Sequence, residues 1–294
     1  MNPILLILIA SISLGFAEAF NSHKMKVFPM LSSTGLILIG TFISFFLDIA
    51  YVFTFDVPIE NLTLIIVLQI LVIGIIFYAA NKLFYQSYKE EDASIVAVLG
   101  MVSIVATSIL GKVLFKEQMS TGQWFGIVLI IIAVFLINTD GQKDRFSALK
   151  NLNKAKINAM LAGLLYGIGF SISKFLLLDF NPHYYQLISP IFIVPLIFIF
   201  DFRSVKKQIP VIINKKILLN FSWIIILYYI YNKLRFVAMS DGIELPIADA
   251  IDNSVVFIII LVELFILKIP QENILRKVLI SLIAFVGILL VSIT

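Results

Sequence analysis

Apolar positions along this chain do not alternate with polar ones at either the helical or the strand period. They run on uninterrupted for about 20 residues at a time, the length a helix needs to cross the hydrocarbon layer of a bilayer. Ten such runs, bounded by charge clusters, Gly or Pro, predict helices at about residues 3–22, 27–53, 62–87, 93–115, 122–138, 157–178, 183–202, 217–239, 246–267 and 275–293. Barrel strands are excluded because runs such as 62–76 are apolar on both parities, whereas a barrel strand faces lipid only with every second residue. The pattern predicts an all-α integral membrane protein of ten transmembrane helices. The first run has no basic residue before it, so it reads as a retained span rather than a cleaved signal.

Composition agrees: of 294 residues 61% are hydrophobic and 14% charged, against about a quarter charged in soluble domains. With no cysteine and only His23 and His183 as imidazoles, disulfides, thiolate chemistry and clustered metal ligation are excluded, and no cofactor is expected. Nucleic-acid binding has no support. The longest polar stretch, 139–156, divides the chain into halves of five spans each, residues 1–138 and 157–294. Residues 79–117 align with 230–268 at a constant shift of 151 with eight identities. Matches of Val, Ile and Leu are ordinary in such sequence, so the weight rests on the polar Asn81-Lys82-Leu83 against Asn232-Lys233-Leu234. An odd number of spans per half makes the second half enter the membrane in the opposite sense, an inverted repeat whose binding site is expected between the halves near mid-membrane. Of the 22 Lys and Arg, 16 fall in loops one, three, five, seven and nine, with Lys112, Lys116 and Arg235 assigned to the opposite loops. The positive-inside rule then places both termini outside the cytoplasm.

Charges inside spans are costly and mark candidate function. Lys82 and Lys233 hold equivalent positions, so they are expected to converge about the pseudo-two-fold axis with Asn81 and Asn232 beside them, where two ammonium groups suit an anion or a carboxylate; alternatively each amine snorkels to the headgroups. Lys174 is a third intramembrane cation. Asp249 and Asp252 share a helix face, so one of them either carries a coupling proton or both neutralise Lys233 or Lys174. Glu18, after Gly15 and Ala17, either points into a gap between helices or marks the end of its span. Asp48 either joins it as an ion or proton site or sits at a boundary. Tyr85, Tyr166 and Tyr229 line a pocket or belong to an interfacial belt. Gly100, Ser103, Thr107 and Gly111 form a small-residue face that reads as a tight helix contact.

Two five-span halves, small residues in the first span of each, and the helix ends at 126–137 and 285–291 resemble the drug/metabolite transporter superfamily in its EamA-like ten-helix branch. Glu117 matches the Glu common at that family's fourth-to-fifth junction, whereas Lys268 stands at the equivalent place of the second half. The usual proline of the fourth span is absent. The resemblance implies a non-enzymatic secondary transporter of a small polar or anionic metabolite, working by alternating access in a prokaryotic plasma (inner) membrane. It also implies cytoplasmic termini, opposite to the loop count. No Walker-type phosphate loop is present, so a proton or counter-substrate is the expected driving partner, with membrane lipid as surroundings and a monomer or homodimer as the assembly. A flippase for a lipid-linked anionic headgroup is the alternative. An intramembrane enzyme lacks a His-Glu-x-x-His motif.

Overall fold

The computed structural model describes residues 2–138, 153–269 and 274–293. The basic segment expected to separate the halves lies largely outside the described residues. Among the described residues ten helical rods follow one another: α1 (Pro3–Val27), α2 (Ser33–Phe55), α3 (Leu64–Ser87), α4 (Ala93–Phe115), α5 (Thr121–Asn138), α6 (Lys154–Leu177), α7 (Pro182–Ile212), α8 (Lys215–Ser240), α9 (Leu245–Ile266) and α10 (Ile274–Ile293). Nine are long and apolar enough to span a bilayer, and α5 is a shorter apolar helix. No strand occurs among the described residues. The chain is an integral multi-pass membrane protein.

Helix starts follow from local chemistry. Asn2 accepts the Ile4 N–H at 2.9 Å and Asn181 accepts those of His183 and Tyr184, each ahead of a Pro that opens its helix without wasting an N–H. Ser32, Thr63, Asn153 and Asn214 cap α2, α3, α6 and α8 in the same way. Helix α7 runs ten residues past the expected end at Phe202. A non-helical turn at Asp201 (φ −140°) bends it, after which Val205 and Gln208 stay buried under the start of α2. Gln208 donates to the Met30 carbonyl at 3.1 Å and accepts from the Ser32 N–H at 2.9 Å.

The helices pack as α1 with α8, α3 with α6, α2 with α7 and α5 with α10, while α4 packs chiefly on α6 and α9 chiefly on α1, with α4 and α9 also in contact. Exchanging each helix with the one five places along leaves this scheme unchanged. Details repeat as well. An added Cβ on Gly15 of α1 would stand 2.7 Å from Ile258 and 2.9 Å from Val255 of α9; on Gly167 of α6 it would stand 2.7 Å from both Ala106 and Ser103 of α4. Such approaches need glycine, and they realise the small-residue contact expected on α4. Both α4 and α9 break at mid-length in one conformation, Met101 at φ −60°, ψ −10° and Ser254 at φ −63°, ψ −14°.

Candidate functional site

Between the halves lies a cavity of about 290 Å³. Eight helices wall it: Leu14 and Glu18 of α1, Gly40, Ser44 and Asp48 of α2, Asn81 and Tyr85 of α3, Ser103 of α4, Tyr166 of α6, Gln186 and Ser189 of α7, Tyr229 and Asn232 of α8, and Asp249 and Asp252 of α9. Nine of the twelve candidate residues therefore face one chamber: Glu18, Asp48, Asn81, Tyr85, Tyr166, Tyr229, Asn232, Asp249 and Asp252. The remaining three, Lys82, Lys174 and Lys233, are not in the lining, and each is engaged by a carboxylate: Asp201, Glu117 and the lining residue Asp48 in turn.

The expected convergence of Lys82 and Lys233 is corrected by the geometry. The end of α3 meets the start of α6 through Ser87 and Ala155, and the end of α1 meets the start of α8 through Lys24 and Asn220. Helices α3 and α8 thus run in opposite directions, and lysines near their C-terminal ends lie at opposite ends of the bundle. Lys82 donates to Asp201 at 2.7 Å, and Lys233 donates to Asp48 at 2.7 Å. Lys174 is buried against Glu117 at 2.6 Å and the Ile243 carbonyl at 2.8 Å, where it ties α6 to the end of α4 and to the turn before α9.

Arg235 is the second correction. It does not belong to a loop: it is 1% exposed within α8 and lines the chamber. Its Nη2 donates to Asp249 at 3.3 Å, Nη1 contacts Asp252 and donates to the Tyr231 hydroxyl at 2.7 Å, and the guanidinium lies 3.5 Å from the Phe170 ring centroid. Thr107 donates to Asp249 at 3.2 Å; Ser11 and Tyr231 donate to Asp252 at 3.1 and 3.2 Å. The counter-ion of Asp249 and Asp252 is therefore Arg235, not Lys233 or Lys174. The signal for it was local: an apolar run continues past Arg235 to Met239, so the span had not ended. Glu18, by contrast, is buried yet forms no ion pair among the described residues, and it lies among the phenols of Tyr85, Tyr88, Tyr166 and Tyr228.

Glu263, at the far end of α9, accepts the Ala93 N–H at 2.9 Å and so anchors the start of α4. No group of three or more His, Asp or Glu arranged for a metal ion occurs among the described residues.

A bundle of apolar helices around a buried polar chamber defines the class, a polytopic membrane protein with room for a small solute between its helices. Residues 1–139, just under half of the chain, match the model of the EamA-like transporter family, a match consistent with the drug/metabolite transporter superfamily. The match is to a family of transporters and covers the first five helices. No curated protein matches the sequence. A solved structure titled only as the crystal structure of a protein is similar at a TM-score of 0.62, with 10% identity over 98% of this chain and 96% of that one. At that identity the likeness shows the fold alone.

Proposed function

We propose that the chain is a secondary transporter that moves a small polar solute bearing an amino or other cationic group, by alternating access around the central chamber. Residues 1–138 and 157–294 act as inverted repeats. This is supported by the self-consistent helix pairing, the matched approaches of Gly15 and Gly167, and the matched breaks at Met101 and Ser254.

The observation that carries the substrate class is charge. Four carboxylates, Glu18, Asp48, Asp249 and Asp252, face the chamber, while the cations near it are Lys233, held by Asp48, and Arg235, held between the other two aspartates. Glu18 alone of the four has no ion-pair partner among the described residues, and the Arg235 cluster holds one carboxylate more than its single guanidinium balances. Lysines once expected to attract an anion are already neutralised, so the anionic option gives way to a cationic one. Tyr and Phe faces from α3, α6 and α8 add cation–π attraction and room for an apolar body. In this reading Glu18 receives the ammonium of the solute, and a proton takes its place when the site is empty.

Thermal unfolding of purified protein with a panel of amines, neutral polar solutes and carboxylates tests this, since a ligand at 100 times its Kd stabilises by about 2.7 kcal/mol. Amines are expected to raise the Tm of the parent and not that of Glu18→Gln. Stabilisation by carboxylates alone, or amine stabilisation undiminished in Glu18→Gln, refutes the assignment.

A further inference from the structure

We infer that two equivalent ion pairs, Lys82 with Asp201 and Lys233 with Asp48, are the gates that seal the chamber at its two ends and open in turn; the inference rests on the alternating-access reading above. Each pair joins opposite halves of the chain. Lys82 on α3 reaches Asp201 on α7, and Lys233 on α8 reaches Asp48 on α2. The same arrangement surrounds both. Tyr78, four residues before Lys82, donates to Asp201 at 2.8 Å, and Tyr229, four residues before Lys233, donates to Asp48 at 3.1 Å. Each ammonium also lies near its own tyrosine ring, at 5.7 and 5.6 Å.

Position makes them gates rather than mid-helix staples. Helices α2 and α7 cross the chamber between the two pairs, contributing Gly40 and Ser44, and Gln186 and Ser189, to its wall. At the end where α1 and α3 finish, rich in Lys and Arg, α2 meets α7 through Thr34 on Asp201 at 2.6 Å and through Gln208. At the other end they meet through Tyr51 on His183, ring centroids 4.8 Å apart, with Lys233 4.1 Å from the Tyr51 ring. A solute entering from either face must part α2 from α7 and break the pair on its way. The two seals differ in burial: side chains of Lys233 and Asp48 are 9% and 3% exposed, those of Lys82 and Asp201 33% and 19%. A hydrated pair is held weakly and a desolvated one firmly once formed, so the Lys-rich end is the one this conformation releases first.

The absence of cysteine makes a direct test simple. Single reporters, Ser44→Cys and Ser189→Cys, are placed in the chamber wall and labelled in oriented proteoliposomes with a membrane-impermeant maleimide supplied from one face at a time. Lys82→Met and the near-isosteric Asp201→Asn are expected to speed labelling from the Lys-rich face roughly fivefold or more, and Lys233→Met and Asp48→Asn to do so from the opposite face. Exchanging the charges, Lys82→Asp with Asp201→Lys, is expected to return labelling to the parent rate. If neutralising the two pairs acts on the same face, or on neither, the gates are refuted. Labelling needs no substrate, so it is read apart from transport. A protein that transports while its labelling ignores both pairs overturns the gates alone, whereas opposed labelling responses without flux uphold the gates and overturn the transporter reading.

Discussion

Replacing Arg235 with Met removes the guanidinium that lies between Asp249 and Asp252 and leaves two carboxylates three residues apart, each side chain at most 4% exposed. Breaking a buried pair from one side costs about 3–5 kcal/mol, because the surviving charge keeps its desolvation penalty without its partner. Loss of the contact with the Phe170 ring adds to it. Converted at roughly 2 °C per kcal/mol for a chain of this order, Arg235→Met is expected to unfold at least about 6 °C below the parent. Replacing the whole cluster, Arg235→Met with Asp249→Asn and Asp252→Asn, removes the charges together and is expected to recover most of that loss. Thermal unfolding in detergent, followed by tryptophan fluorescence, reads both. A harmless Arg235→Met, or a triple variant no better than the single one, would show that the triad does not hold α8 to α9.

Glu18→Gln keeps shape and folding but removes the charge; uptake of an amine in proteoliposomes is expected to fall by about tenfold or more, the scale of one charge-assisted hydrogen bond, and full retention would remove Glu18 from the site. Gly163→Ala places a Cβ 2.5 Å from the Gly100 carbonyl oxygen, a backbone atom that cannot swing away, so a loss of about 1–3 kcal/mol is expected from its melting curve. Asp92, just before α4, joins Lys26 to Lys277 at 3.3 and 2.9 Å. Burial raises its carboxyl pKa, but the two ammonium groups outweigh burial and leave it below its ordinary value. A lowered pKa gives stability that is present above the ordinary carboxylate range and lost as pH falls through the folded value. Asp92→Asn is accordingly expected to cost about 0.5–1 kcal/mol at about pH 7, a deficit that shrinks as pH falls below the ordinary carboxylate range; a deficit that stays constant into acid would reject the pairing.

The ten rods were legible because each is a continuous apolar run, and the tight face of α4 because small residues recur there at helical spacing. Boundaries failed where charge occurs inside the membrane. Arg203, Lys206 and Lys207 read as the end of α7, yet the helix continues because Gln208 is buried under α2; α8 ends at Ser240, beside the expected Met239, but Arg235 was counted with a loop although Asp249 and Asp252 neutralise it inside the bundle. Charge in a window shows that a partner is needed and not which one. Asp201 stands 119 positions from Lys82, and Asp48 stands 185 from Lys233. Only the antiparallel run of α3 and α8 separates those lysines, and the sequence match of their tripeptides had pointed to convergence. The tyrosines of the chamber were equally compatible with a headgroup belt until packing turned them inward.

Flux across a sealed membrane tests the central claim most directly. Proteoliposomes holding the parent protein, supplied with an amine that raises its Tm, are expected to show saturable exchange of that solute, reduced about tenfold or more in Glu18→Gln, while a fluorescent lipid stays in its leaflet. Lipid crossing between leaflets while the amine remains outside would contradict the account.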